Sequence, residues 1–271
     1  MTVKTLFLVW QDSTTRRWFV IGRLQREHDL YQFNYVNEVR EAQSAAHFVP
    51  LPSFPDLFRT YRSPELFPLF QNRVMRPSRP DYGDFMRLLA LPESERDPMV
   101  ILAKGGGGRI TDTLEVFPCP EPDLNDPNGR YRIHFFVHGL RHMGEPNIRR
   151  AEELQTSEPL LLVHDLQNPY DEHALGLRTT QAQPGDMFFQ GFLPRYLAEE
   201  FGRILCHDRY AVRVEVERVN GHPQPLQYRV LCRAFVNAHA GASMFTGEKY
   251  QPLQATSEAG ERTLVPTGAS T

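Results

Sequence analysis

Asn168-Pro169 is the most constraining dipeptide in the chain, because a residue that precedes proline is driven out of the helical region. On one side lies Pro159-Leu160-Leu161-Leu162-Val163, a short apolar run of strand type, and on the other Ala174-Leu175-Gly176-Leu177. Two strands joined through such a turn predict a hairpin with Asn168 to Asp171 at its exposed tip. Asp171 is placed to accept backbone N–H groups, so a tight turn closed by its carboxylate accounts for the residue without any function. The same tip also presents an aromatic ring, Tyr170, beside a carboxylate.

Length admits one large or two modest domains in 271 residues, and 41% hydrophobic content is enough for packed cores. No window approaches the roughly 18 uninterrupted apolar residues of a membrane span, so no membrane partner is expected. Leu6 to Trp10 is too short and lacks the cleavage site of a signal peptide; it reads as a first strand. Cys119, Cys206 and Cys232 are far apart, without Cys-x-x-Cys, which predicts reduced thiols in a cytoplasmic protein. A net charge of −3, with both halves near neutrality, argues against a long duplex gripped through its phosphates. A small site holding a few nucleotides needs only a couple of arginines.

The first part reads as strands at Leu6–Trp10, Trp18–Leu24 and Tyr31–Val36, and a short helix from Glu38. A proline-studded loop follows through Pro50-Leu51-Pro52-Ser53-Phe54-Pro55. Ser63-Pro64 then predicts a helix to Val74, and Asp81 to Leu91 another. Lys104-Gly105-Gly106-Gly107-Gly108-Arg109 lacks the Gly-Lys-Ser/Thr order of a phosphate loop and reads as a flexible hairpin turn before a strand from Ile110 to Phe117. With Ile21-Gly22-Arg23-Leu24, Tyr31-x-Phe33-x-Tyr35, Pro50-x-Pro52 and Leu66-Phe67-Pro68-Leu69-Phe70-Gln71-Asn72-Arg73, residues 4–105 resemble the N-terminal subdomain of HipA-type serine/threonine kinases. No kinase core follows. The resemblance therefore implies a protein-interaction role, such as a partner subunit of a HipA-type kinase in a toxin–antitoxin system, and not kinase activity.

Further on, strands are expected at Tyr131–Val137, Leu160–His164, Ala174–Arg178, Phe188–Leu193, Ala211–Val219 and Leu226–Val236, the last two joined at Asn220-Gly221, with a helix over Arg195–Leu205. Gly139-Leu140-Arg141-His142, Asn168-Pro169-Tyr170-Asp171 and Gly191-Phe192-Leu193-Pro194-Arg195-Tyr196-Leu197-Ala198 occur in this order, and together make residues 131–236 resemble the HIRAN domain. That implies an OB-like β-barrel with one helix, and binding to the 3′ end of single-stranded DNA. His142 stands where that family usually has tyrosine.

The expected fold is therefore α+β and β-rich: an interaction domain over 1–117, a linker over 118–130, a HIRAN-like DNA-binding domain over 131–240 and a partly disordered tail over 241–271, polar and without apolar pattern beyond about residue 250. The expected DNA contacts are Arg141, His142, Asn168, Tyr170, Asp171 and Arg195. Arg141 suits a phosphate or a base face. Tyr170 suits a stacked base. Asp171 accepts from a sugar hydroxyl but repels internal phosphates, which favours a strand end. His134, His138, His142, His164 and His173 raise a metal site, but His134 and His138 lie about 13 Å apart along one strand face. No cofactor is implied. A hydrolase or nuclease finds no Gly-x-Ser-x-Gly, no His-Glu-x-x-His and no dense acidic cluster; Asp165, Asp171 and Glu172 are the residues it would have to use. A non-enzymatic binder is expected.

Overall fold

A computed structural model describes residues 3–109, 111–180 and 185–254. Two antiparallel sheets organise it. The first contains β1 (Thr5–Gln11), β2 (Trp18–Glu27) and β3 (Leu30–Tyr35); after α1 (Val39–Ala46) come β4 (Tyr61–Ser63), α2 (Pro68–Gln71), α3 (Tyr82–Leu88), α4 (Pro98–Gly105) and β5 (Leu114–Pro118). Its order is β4-β3-β2-β1-β5. The continuous apolar run of β1 follows from its position, because both of its faces are covered. Leu6 and Leu8 join Phe19, Ile21, Phe33 and Tyr35 under the helices, while Phe7 and Val9 face the other way, into a core shared with the second sheet.

The second sheet follows as β6 (Tyr131–Phe136), α5 (Glu145–Glu153), β7 (Pro159–His164), β8 (Leu175–Thr179), β9 (Phe189–Phe192), α6 (Arg195–His207), β10 (Val212–Val219) and β11 (Val230–Val236), with α7 (Ala238–Ala242) after it. Its order, β6-β11-β10-β7-β8-β9, describes a curled six-strand half-barrel. The curl brings its two outermost strands together. Just beyond β6, His138 exchanges both backbone hydrogen bonds with Phe192 of β9, at 2.9 and 2.8 Å. Gly191 makes that approach possible: its φ is 120°, and a Cβ there would lie 2.4 Å from the His138 carbonyl oxygen. The fold class is the expected one, mixed α+β and rich in strand.

The two sheets are tied together through side chains. The rings of Phe117 (β5) and Tyr196 (α6) stack at 4.0 Å and 6°. Lys104 at the end of α4 meets Glu217 of β10 at 3.0 Å, both almost wholly buried. Between the sheets, residues 118–130 are held by local turns, with Asp123 accepting the Asn125 N–H and Asp126 that of Asn128.

Four local expectations are corrected. The helix predicted from Ser63 starts at Pro68, because Ser63 and Phe67 each precede a proline and are held extended; Ser63 ends β4 instead. The glycine run is not a hairpin turn: it closes α4, whose last carbonyls are capped by Gly106 in the left-handed region at φ 70°. Asn220-Gly221 does not make a two-residue turn, since Asn220 pairs with Arg229 across a longer loop and β11 begins only at Val230. The tail expected from 241 is packed as far as the described residues run, to 254. Met244, Phe245, Tyr250 and Leu253 are buried, and Phe7 contacts the rings of Phe245 and Tyr250. Residues 255–271 lie outside the described residues. Helices α4 and α5 were not expected; each opens on a proline in its first turn.

Candidate nucleic-acid interface

The β7–β8 hairpin places Asn168 to Asp171 at its tip, and the loop is braced from within. Asn168 Oδ1 accepts the N–H groups of Tyr170 (3.0 Å) and Asp171 (3.1 Å), while its Nδ2 donates to Asp165 (2.9 Å). Asp171 Oδ1 accepts the His173 N–H at 3.1 Å, the turn-closing role its position predicts. Asn168 is thus a structural brace, occupied by the loop itself.

The Tyr170 side chain is the group left outside this network. Its ring is 74% exposed. An aromatic ring held into water on a braced loop costs the core nothing and is open to stacking. Among the described residues, neither the cleft lined by Arg26 and Tyr31 nor the one lined by Arg73 and Tyr228 includes it.

The cation beside this ring and carboxylate is Arg195. Pro194 opens α6, so Arg195 stands in the first turn of that helix, facing the loop. Its Nε lies 3.4 Å from Asp171 Oδ2, one Nη donates to the Tyr170 carbonyl, and the other donates at 3.0 Å to the Arg16 carbonyl in the β1–β2 turn. A guanidinium carries five donors, so two N–H bonds remain. Arg195 is therefore a clamp that joins the tip to the first sheet.

Arg141 and His142 occupy a single 3-10 turn after β6, both exposed, with Arg141 Nε donating to His142 Nε2 at 3.0 Å. They approach the β9–α6 junction from one flank, through the His138–Phe192 pair, and the Tyr170 loop approaches it from the other, through the hydrogen bond from Leu193 N–H to Leu175 C=O (2.9 Å). The junction is the common support of both groups.

Among the described residues no three His, Cys, Asp or Glu side chains converge as a metal site. His134 donates instead to Glu217, and His164 contacts the Glu172 carbonyl at 3.3 Å. Burial favours a neutral His134. It would also raise the Glu217 carboxyl, but the His134 hydrogen bond and the Lys104 charge outweigh it and hold Glu217 at about 2. This buried Lys104–Glu217–His134 cluster was not anticipated, and no local pattern in the sequence joins its members. No described helix is long and apolar enough to cross a membrane.

The family model of the HIRAN domain matches residues 131–239. This segment is a HIRAN domain. The HIRAN domain occupies two fifths of the chain and contains the whole second sheet with the Tyr170 tip. The chain is also similar to a protein from Lactobacillus plantarum, with 16% identity, covering 38% of this chain and 89% of that one at a TM-score of 0.31. A further similarity is to the HIRAN domain of human HLTF, with 17% identity, covering 42% and 82% at a TM-score of 0.30. No curated protein matches the chain.

Proposed function

We propose that the chain is a non-enzymatic nucleic-acid-binding protein, and that its HIRAN domain takes the 3′ end of single-stranded DNA at the Asn168–Asp171 tip. The observation that carries this reading is Tyr170, an exposed ring on a loop whose backbone is held by Asn168 within and Arg195 behind. A base stacked on it gains about 1–3 kcal/mol. Asp171 keeps a lone pair on each oxygen beyond its contacts with His173 and Arg195, enough to accept from a terminal sugar hydroxyl. The spare donors of Arg195, and Arg141 with His142 on the other flank, suit the one phosphate next to that hydroxyl. The resemblance to the HIRAN family supports the same reading.

Fluorescence anisotropy with short single strands ending in a free 3′ hydroxyl or a 3′ phosphate tests it. The free end should bind more tightly, Tyr170→Ala should weaken both, and Asp171→Asn should remove the difference between them. Equal binding of the two ends, unchanged by Asp171→Asn, would refute end recognition. Absence of binding to any oligonucleotide would refute the nucleic-acid role. Release of product from end-labelled DNA incubated with magnesium or manganese would overturn the non-enzymatic reading.

Residues 4–105 support a second, compatible role as a protein-interaction surface, with a HipA-type kinase as the candidate partner. Val49 (75%) and Phe58 (52%) stand exposed on the loop between α1 and β4, where they serve no core. A pull-down with such kinases, repeated with Val49→Ser and Phe58→Ser, tests it; capture unaffected by both changes counts against this surface.

A further inference from the structure

A cleft of about 480 Å³ opens where the helices of the first sheet meet the HIRAN domain, within the size range of small-ligand sites. Four stretches distant in sequence build it: the loop after α2, Phe85 of α3, α4 with the glycine run that ends it, and the Leu226–Tyr228 turn between β10 and β11. Its lining includes four arginines. Arg79 is paired with Asp81. Arg76 and Arg109 have no acidic partner among the described residues, so the cleft carries uncompensated positive charge.

Arg73 is the informative one, because its side chain is only 1% exposed. Its terminal nitrogens are satisfied by Asp112 and by the carbonyls of Gly107 and Leu114, yet its buried Nε has no hydrogen-bond partner. That Nε is enclosed behind the cleft wall, so Arg73 shapes and charges the wall without itself meeting a ligand. Gly107 adds to it. With φ at 58°, and with a Cβ there falling 3.0 Å from Leu102 Cδ2 and 3.3 Å from Arg73 Cβ, only glycine fits. The N–H groups of Gly107 and Gly108 find no acceptor among the described residues, and backbone donors of this kind suit an oxyanion. Glu115 opposes the charge from beside Gly108, but burial pushes its carboxyl up to about 7, which weakens that opposition at neutral pH.

The rest of the lining is mainly apolar and includes two aromatic rings. Phe85 of α3 borders the cleft from one side and Tyr228 from the other, the latter fixed edge-on against Phe136 at 5.2 Å. Lys104 is committed to Glu217, so this is not the lysine-bearing cradle of a phosphate loop, and the chemistry of the cleft is binding alone.

We propose that this cleft binds a free nucleotide, its phosphates on Arg76, Arg109 and the Gly107–Gly108 backbone and its base against Phe85 and Tyr228. Calorimetric titration of the full chain with ADP, pyrophosphate and adenosine tests it. ADP should bind about ten-fold more tightly than pyrophosphate, and adenosine more weakly than ADP. Joint Arg76→Ala and Arg109→Ala, both exposed and unpaired, should weaken ADP by at least about ten-fold with the fold intact by circular dichroism. Tyr228→Leu should weaken ADP but leave pyrophosphate unchanged. Tyr170→Ala should alter none of these values, which separates the cleft from the strand-end site. No heat with millimolar ADP, equal affinity for ADP and pyrophosphate, or indifference to the arginine pair would each overturn the proposal.

Discussion

Replacing Lys104 by methionine isolates the electrostatic part of the joint between the two sheets, since the new side chain preserves most of the buried stem. In the wild type the ammonium sits 3.0 Å from Glu217 Oε1, with side-chain exposures of only 6% and 14%, so solvent screens the pair weakly. At an effective dielectric constant of about 20 the bare attraction is about 5 kcal/mol, and removing one member of a buried pair costs about 3–5 kcal/mol. We expect Lys104→Met to lose about 3 kcal/mol at pH 7. Two further measurements bind this number to its cause. Glu217, held at about 2 in the wild type, loses its cation in the variant, and burial then drives its carboxyl upward. The wild-type pair therefore stabilises the fold above about pH 4.5 and loses that contribution as pH falls toward 2. The variant's Glu217 keeps only the His134 hydrogen bond and so loses less on protonation, and the deficit should narrow as pH falls from about 4.5 toward 2. His134, held neutral by burial and by the nearby Lys104 charge, penalises the wild type as pH falls below about 6.5, and the variant less because that charge is gone, so His134 also narrows the deficit on acidification. The double variant Lys104→Met/Glu217→Gln keeps an acceptor for His134 and should return to within about 1 kcal/mol of the wild type. Urea unfolding reads all of this. The two tryptophans, Trp10 and Trp18, report the first sheet and circular dichroism reports the whole. A loss below about 1 kcal/mol for Lys104→Met, or a double variant no more stable than the single one, would refute the reasoning.

Three other outcomes follow from contacts already described. Gly191→Ala should cost about 2–4 kcal/mol and abolish hydrogen-exchange protection at His138 and Phe192, because the backbone oxygen 2.4 Å from the added carbon cannot move without parting β9 from β6. Arg195→Met should cost only about 1–2 kcal/mol, being partly exposed, but should make the 165–174 loop markedly more sensitive to limited proteolysis than in the wild type. Phe245→Ala should cost about 3–5 kcal/mol in thermal or urea unfolding, since its ring packs 5.1–5.7 Å from those of Phe7, Phe117 and Tyr250; an unpacked tail from 241 would give no change.

The strands of the barrel were legible because each combines an apolar run with a turn signal of its own. Asn168-Pro169 marked the tip and Pro194 the start of α6, both for the same reason: proline restricts its own φ and the residue before it. The same restriction moves the helix start from Ser63 to Pro68, because Phe67 also precedes a proline. What stayed hidden depends on tertiary contacts. Lys104 and Glu217 are separated by 113 positions, and nothing near either residue indicates the other. Phe245 and Tyr250 lie in a polar stretch without period, so their burial under Phe7 has no local signature. The role of Arg195 was half visible: its position near the tip followed from the helix start, but its reach to the Arg16 carbonyl required the fold.

The contacts of residues 244–253 carry a consequence for biosynthesis. Leu253 donates its backbone N–H to Tyr35, and Asn37 and Glu38 donate to the carbonyls of Gln251 and Lys249. A ribosome reaches these codons on the order of tens of seconds after Phe7 and Tyr35 have emerged. Until then the inward face of the oldest strands waits bare, which makes the nascent chain a natural client for chaperones that shield apolar surface.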